Sequence, residues 1–284
     1  MSSVSLIVGI VTRNRADILP KAIASALTQS APIPLVAVID DGSTDDTTKL
    51  SAQFPQVRWI RRATSLGYIS ARNELMTFGA FDYFISLDDD AWFLQGDEIG
   101  IAIDYLETNK KVGAVAFDIL SPERPQVVTR TSAVPAAMFI GCGHVLRLAA
   151  VRQVGYYELT PGNYGCEEKD LCLRLIDAGY RIVRLPGVHV WHDKTPVARE
   201  IPMQHRSGVC NDLVMTLRRT PLILLPVAVP VKFYRHWRFS WRHKLTQPCL
   251  QGFGLFARSI PMALRSRKPV RVETLRAYMR LSRA

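Results

Sequence analysis

The feature that most constrains this chain is the alternation of short apolar segments with helix-like segments through its first half. The apolar segments, which are rich in β-branched residues, span 5–11, 35–39, 57–60, 83–87 and 112–117. The segments with helical character between them span 19–27, 44–53, 67–78 and 97–107. Strands and helices of these lengths in alternation predict an α/β fold, a doubly wound, mostly parallel sheet with helices on both faces.

Acidic residues cluster where two of the predicted strands end. Asp40 and Asp41 follow the second strand, and Asp88, Asp89 and Asp90 follow the fourth. Ligands of doubly wound sheets bind beyond the carboxyl ends of the strands. Carboxylates held there can bind Mn²⁺ or Mg²⁺, whose other ligands are phosphate oxygens and water. The structural alternatives are a solvated acidic turn for the aspartate triplet and a turn with a helix N-cap for the earlier pair.

A third acidic group and a histidine pair lie further along the chain. Glu167, Glu168 and Asp170 precede a helix predicted over 171–178, and a strand is predicted over 181–185. A carboxylate in this position can act as a general base, although acids also stabilise a helix start through the helix dipole. His189 and His192 are candidate metal ligands or structural residues. Their surroundings do not fit a zinc site, because no cysteine or second histidine pair lies nearby.

Missing motifs and the cysteine pattern narrow the class of protein. The chain has no G-x-G-x-x-G after its first strand, no G-x-x-x-x-G-K-[ST] and no G-x-S-x-G. A dinucleotide-binding enzyme, a P-loop NTPase and an α/β-hydrolase are therefore not supported. The five cysteines follow no disulfide framework, and the first residues lack a basic signal-peptide region. The longest apolar run elsewhere, 221–231, carries three prolines and is too short to span a bilayer, so we expect a cytoplasmic protein.

The charge of the chain changes sharply near residue 217. Residues 218–284 carry 15 Lys and Arg against one acid, whereas residues 1–217 carry 21 basic and 24 acidic residues. We therefore predict a domain over 1–217 and a basic, aromatic-rich helical extension over 218–284. Aromatic and cationic residues alternate in the extension, which predicts contact with an anionic membrane surface at the inner face of the cell membrane. The alternative is an extension that only packs on the body, and nucleic acid is not the expected partner because the body is not basic.

The motifs in this order resemble the family 2 glycosyltransferases, which have the GT-A fold. The segments that carry the resemblance are 4–15, 38–45, 67–73, the DxD-like 87–90, 139–143, 154–155 and 167–171. They extend over roughly residues 4–217. Trp191 and His192 are similar to a Trp-His segment of galactofuranosyl- and rhamnosyltransferase-like members, in which the histidine binds the metal.

The resemblance implies a role for each matching residue. The nucleotide would be held by Thr12, Arg13, Asp40, Asp41, Arg72, Asp88 and Asp89. Within this set Asp40 would reach the base, with Asp41 as the alternative. The metal, Mn²⁺ or Mg²⁺, would be bound by Asp90, Asp88 and His192. The general base would be Glu168, which stands where the family usually has aspartate, with Glu167 and Asp170 as alternatives.

The function implied by the resemblance is that of a metal-dependent hexosyltransferase of polysaccharide biosynthesis. It would move a sugar, with inversion, from a UDP- or dTDP-sugar to a hydroxyl of a glycan or lipid-linked glycan. One alternative is a nucleotidyltransferase of similar fold, which should carry a glycine-rich loop after the first strand, whereas residues 12–15 contain no glycine. The other alternative is a non-catalytic scaffold that binds a nucleotide-sugar or a membrane. The presence of acids at every expected position argues against such a scaffold.

Overall fold

A computed structural model of the protein describes residues 4–33, 35–194 and 200–283. The first three residues of the segment considered as a signal peptide lie outside these ranges. The chain forms two units: Met1–Tyr156 with Ala178–Val197, and Tyr157–Asp177 with Ala198–Ala284. The boundary predicted between residues 217 and 218 falls inside the second unit, and as a boundary of function it stays a prediction.

The described part of the first unit contains one mixed sheet of nine strands. Their bounds are β1 Leu6–Thr12, β2 Leu35–Asp40, β3 Arg58–Arg61, β4 Tyr83–Asp88, β5 Ala91–Phe93, β6 Val112–Leu120, β7 Val134–Pro135, β8 Gly143–Arg147 and β9 Arg181–His192. The strand order is β3-β2-β1-β4-β8-β6-β9-β5, and β7 also pairs with β9. Strands β1 to β4 are parallel as predicted, whereas β8 is antiparallel to both of its neighbours. The second half of the sheet is therefore mixed.

Helices cover the strands of the first unit. They are α1 Leu19–Leu27, α2 Leu50–Gln53, α3 Tyr68–Thr77, α4 Glu98–Thr108 and α5 Leu148–Val154. The helix predicted over 44–53 is divided into a 3₁₀ turn and the short α2, because Asp45 caps the turn by accepting a hydrogen bond from the Thr47 amide. Ile7, Val8 and Ile10 of β1 are all fully buried. Apolar residues occupy successive positions in β1 because both of its faces are covered.

The register of the parallel strands brings the predicted site to one edge of the sheet. Thr12 of β1 pairs with Asp40 of β2, and Val11 of β1 pairs with Asp88 of β4. The three strands thus end side by side. Their carboxyl ends form the edge at which ligands of such sheets bind.

The second unit is helical in its described residues. Its helices are α6 Glu167–Asp177, α7 Ile201–Arg219, α8 Leu225–Arg242, α9 Thr246–Arg265 and α10 Val272–Leu281. The basic extension is therefore helical, as predicted. The extension also packs against the helix that precedes it, because Phe256 of α9 shares a hydrophobic core with Val209 and Leu213 of α7. Gly252 permits this packing, since a Cβ atom there would lie 2.7 Å from the Arg206 carbonyl oxygen. No helix in the described ranges is long and apolar enough to cross a membrane.

Candidate active site

The aspartate triplet at the end of β4 is held by two arginines from neighbouring elements. Arg15, in the loop after β1, donates through Nη1 to Asp90 Oδ2 at 2.9 Å and lies 3.4 Å from Asp89 Oδ1. Arg72 of α3 donates through Nη2 to Asp88 Oδ1 at 2.5 Å. Asp89 and Asp90 are both buried. Asp88 is half-buried, so the triplet is a largely buried ionic cluster rather than a solvated turn.

His192 joins this cluster from the end of β9. The pairing of β5 with β9 places His192 opposite Ala91, the residue after Asp90. Its Nε2 lies 3.2 Å from Asp90 Oδ1. His189, three residues earlier, is buried, and neither of its ring nitrogens has a hydrogen-bond partner among the described residues. The fold thus brings His192 to the acids.

Three side chains at this edge could share one metal ion. A carboxylate oxygen of Asp88, the thiol of Cys142 and a ring nitrogen of His192 all lie within 4.8 Å of one another. Carboxylate oxygens suit Mg²⁺ or Mn²⁺, whereas a thiolate suits softer ions. Asp88 and His192, with Asp90 beside the histidine, therefore fit the predicted cation, and Cys142 is a neighbour that the sequence did not single out. It stands just before β8, whose place beside β4 is set by the tertiary structure.

Two aspartates of the triplet, Asp89 and Asp90, have pKa values shifted in opposite directions. Burial, opposed by the charge of Arg15 and aided by the adjacent Asp90 charge, raises the pKa of Asp89 to about 7. Burial also works to raise the pKa of Asp90, but its hydrogen bonds to His192 and Arg15 outweigh burial and hold it well below its usual range. At neutral pH Asp90 is therefore ionised, and Asp89 is close to its titration midpoint.

The two aspartates at the end of β2 have different surroundings. Asp41 accepts hydrogen bonds from Arg62 Nη1 at 2.8 Å and Ser65 Oγ at 2.6 Å, and from the amides of Leu66 and Gly67. Burial opposes these hydrogen bonds, but together they lower the pKa of Asp41. Its carboxylate fixes the loop that leads into α3.

Asp40 keeps one oxygen for a ligand. Its Oδ1 accepts a hydrogen bond from the Ser43 amide at 2.8 Å. Its Oδ2 is buried and has no hydrogen-bond partner within the described residues. Because a buried carboxylate oxygen without a partner is costly, this atom points to a missing donor. Of the two aspartates, Asp40 is the one that retains a carboxylate oxygen without a hydrogen-bond partner among the described residues.

The remaining residues expected to bind the nucleotide differ in their burial and in their contacts. Thr12 is buried at the end of β1, and Arg72 of α3 lies with its guanidinium 5.0 Å from the Tyr68 ring centre, beside Asp88. Arg13 is exposed, whereas Arg15 reaches the acids. Arg15 lies in the first motif but has no role predicted from the sequence, since only the turn after β1 determines which arginine faces the sheet edge.

The acids expected to supply the base begin α6 in the second unit. Glu167 is buried and Glu168 is half-buried in the first turn. Asp170 accepts hydrogen bonds from Arg174 Nε at 2.8 Å and Arg219 Nε at 2.5 Å. Both of its oxygens are engaged, so it anchors α6 to α7.

The loop before α6 is fixed by one asparagine of α7. Asn211 donates through Nδ2 to the carbonyl oxygens of Tyr164 and Gly165, each at 3.0 Å, and accepts from the Gly162 amide at 2.9 Å. Gly165 and Cys166 then both have positive φ, +86° and +76°. Non-glycine residues rarely adopt this conformation, so the packed loop maintains a strained entry into α6.

Comparison with known proteins supplies the family. The profile described as "Glycosyl transferase family 2" matches residues 7–136. This part of the chain is therefore similar to the family 2 glycosyltransferases. The matched range includes the ends of β1, β2 and β4 with the three aspartates of the triplet.

Solved structures show the fold of the chain. TarS of S. aureus in complex with UDP-GlcNAc is 14% identical, with a TM-score of 0.64 over 92% of this chain and 82% of that one. The mannosyltransferase PcManGT of Pyrobaculum calidifontis, in complex with GDP-Man and Mn²⁺, is 15% identical, with a TM-score of 0.59 over 92% and 76%. The chain therefore has the GT-A glycosyltransferase fold with a helical C-terminal extension, as the resemblance implied.

A curated relative matches a limited segment of the chain. Poly-beta-1,6-N-acetyl-D-glucosamine synthase of Staphylococcus epidermidis is 23% identical over 132 residues, which are 45% of this chain. The match spans 32% of the length of that synthase.

Proposed function

We propose that this protein is an inverting glycosyltransferase that moves a sugar from a nucleotide-diphosphate sugar to an acceptor hydroxyl. The observation that carries the proposal is the convergence of Asp88, Asp90 and His192, flanked by Arg15 and Arg72, at the carboxyl edge of the sheet. Such a site combines cation ligands with donors for phosphate oxygens. The nucleotide-sugars in the TarS and PcManGT complexes support a donor of this class.

The roles of the residues follow from their chemistry. The buried Oδ2 of Asp40 accepts a hydrogen bond from the base of the nucleotide, and Arg72 donates to the diphosphate. Asp88, Asp90 and His192 would hold Mn²⁺ or Mg²⁺, which neutralises charge on the leaving diphosphate. Glu168 takes the proton from the acceptor hydroxyl as that oxygen attacks the anomeric carbon. One direct displacement inverts the anomeric configuration and needs no covalent glycosyl-enzyme.

The test is calorimetry with UDP, dTDP and GDP, each with and without Mn²⁺. We expect at least one to bind, more tightly with Mn²⁺, and Asp40→Asn to weaken that binding. Asp46→Asn is the matched control, because Asp46 is an exposed aspartate of the turn after β2. Failure of all three nucleotides to bind would favour the scaffold alternative. The anomeric configuration of the product, read by NMR, tests inversion.

We further propose that the acceptor is a glycan or lipid-linked glycan and that α8 contacts an anionic membrane at the inner face of the cell membrane. Val227, Tyr234 and Trp241 are 67%, 62% and 69% exposed. Their spacing of seven residues places them on one face of α8. Arg238 and Arg242 add positive charge to the same helix. Aromatic residues at an interface with nearby cations favour an anionic lipid surface.

The membrane proposal is best tested by substitution rather than truncation. Deleting the extension would expose the core that α7 shares with α9. A triple Val227→Ser, Tyr234→Ser, Trp241→Ser variant should lose co-sedimentation with phosphatidylserine-containing vesicles. Leu250→Ser, at an exposed position of α9, is the control that should still bind. Unchanged binding of the triple variant would refute contact through this face.

A further inference from the structure

A cavity of about 470 Å³ lies wholly within the second unit. The side chains that matter for its chemistry are Cys166, His205, Asp212, Lys232, Arg235 and His236. They come from the start of α6 and from α7 and α8. None of them belongs to the site at the sheet edge.

The side chains in and around this cavity include more basic than acidic groups. The Asp212 carboxylate accepts hydrogen bonds from Lys169 Nζ at 2.9 Å, Lys232 Nζ at 2.6 Å and His236 Nε2 at 3.0 Å. Asp212 is the one acid among the described residues that line the cavity, and Arg235 adds a further cation. Two lysines thus contact a single carboxylate, and an arginine lines the same cavity.

The titration of the cluster agrees with an excess of positive charge. Burial lowers the pKa of Lys232, and repulsion from Lys169 lowers it further, against the attraction of Asp212. Burial raises the pKa of the Cys166 thiol to about 12, so this residue adds no negative charge at neutral pH. An anion entering the cavity would relieve the repulsion between the lysines.

The position of the cavity connects it with the proposed chemistry. Cys166 immediately precedes Glu167 and Glu168, and Lys169 is the next residue of the same helical turn. The cavity therefore borders the first turn of α6, which carries the proposed base. On α8, Lys232 and His236 are four residues apart and both contact Asp212. They occupy one face of that helix.

We propose that this cavity binds a phosphate group of the acceptor, so that the hydroxyl to be glycosylated belongs to a phosphate-bearing glycan. The inference rests on the proposed function, which it sharpens by naming the acceptor class. A phosphate supplies the anion that the cluster lacks, and arginine and lysine are the side chains that bind phosphate oxygens most strongly. The phosphate can come from a soluble sugar phosphate or from a lipid-linked one.

Direct binding is the first test. Calorimetry with inorganic pyrophosphate, in EDTA to empty any cation site, should show binding to the wild-type protein. Arg235→Gln should weaken it about tenfold, the loss of one charge-assisted hydrogen bond. Arg238→Gln is the matched control on the same helix and should bind as the wild type does. Absence of binding, or equal binding by Arg235→Gln, would overturn the proposal. Lys232→Met, which removes a second cation, should weaken binding further.

Acceptor kinetics are the second test. Two acceptors with the same sugar, one with and one without a phosphate, are compared in solution and on lipid in phosphatidylcholine vesicles. Arg235→Gln should raise the KM of the phosphorylated acceptor about tenfold and leave that of the neutral one unchanged. A preference for the vesicle arm identifies the lipid-linked source, and a preference for the soluble arm identifies the sugar phosphate. Equal use of both acceptors by the wild type would refute the inference.

Nucleotide binding separates this inference from the proposed function. Arg235→Gln should bind UDP with Mn²⁺ as the wild type does, because Arg235 is outside the residues assigned to the donor. Failure of the wild type to bind any nucleotide would defeat the proposed function, while pyrophosphate binding would still report on the cavity.

Discussion

The molecule holds two partly buried ionic clusters, one with more acidic groups and one with more basic groups. In the first unit, Asp88, Asp89 and Asp90 face Arg15 and Arg72. In the second, a single carboxylate, Asp212, faces Lys169 and Lys232, with His236 also in contact. The first cluster has more acidic than basic side chains and suits a cation, whereas the second has more basic than acidic side chains and suits an anion. The chain's net charge of +11 reveals neither.

Asp90→Ala should have the largest effect, because it removes a carboxylate from the acid-rich cluster and leaves Arg15 and His192 without it. We expect turnover to fall about a thousandfold, the scale of losing a main electrostatic contribution at an active site. Initial rates against Mn²⁺ concentration measure it, with Asp46→Ala as the control. Near-wild-type turnover would remove Asp90 from the cation site.

Asp212→Asn tests the base-rich cluster through stability. Removing the shared carboxylate leaves two half-buried lysines unpaired and should lower the free energy of unfolding by about 2 kcal/mol at pH 7, less than the loss expected for a fully buried pair. Urea titration measures this, and Asp104→Asn on the exposed face of α4 is the control. A change below 0.5 kcal/mol, about the size of a surface substitution, would mean that the cluster adds nothing to stability.

The same variant predicts a pH dependence. Burial works to raise the pKa of Asp212, but the His236 hydrogen bond and the two lysines outweigh it and hold the pKa well below its usual value of 3.8. A carboxylate with a lowered folded-state pKa stabilises above its unfolded-state pKa and loses that contribution as the pH falls. The difference between wild type and Asp212→Asn should therefore be full at pH 6 and shrink below about pH 4. A pH-independent difference would contradict the ionic origin.

Glu168→Gln tests the proposed general base, which belongs to neither ionic cluster. It should lower kcat about a hundredfold, as expected for loss of a general base, and leave UDP binding unchanged. Single-turnover rates and calorimetry provide the two readouts, and Glu167→Gln is the neighbouring control. Full activity in Glu168→Gln with loss in the control would assign the base to Glu167.

Cys142→Ser should have the smallest effect on the acid-rich cluster. A thiol is not a preferred ligand for Mn²⁺ or Mg²⁺, so the apparent metal affinity should change by about twofold or less. A Mn²⁺ titration of activity measures it. A loss of more than about tenfold would make Cys142 a ligand and indicate a softer cation.

Much of the fold followed from local pattern. The parallel strands β1 to β4 and helices α1, α3 and α4 were located because apolar periodicity is set by neighbours in the chain. The antiparallel place of β8, and the extension of β9 to His192, were not predicted, since strand pairing depends on contacts far apart in sequence. Arg15 and Cys142 could not be assigned to the site from the sequence for the same reason, since the residues that they approach are far away in the chain.

The positions of the acids at the ends of neighbouring strands, and the concentration of basic residues after residue 217, can be read from the amino-acid sequence. Which of these charges meet depends on how the chain packs: Asp40 has an oxygen without a partner among the described residues, whereas Asp41 is hydrogen-bonded by its loop and Asp170 by arginines. The tertiary structure also gathered Lys169, Asp212 and Lys232 from three helices into one cavity. The reason is physical, because a side chain's burial and partners depend on packing between distant segments, which local sequence does not encode.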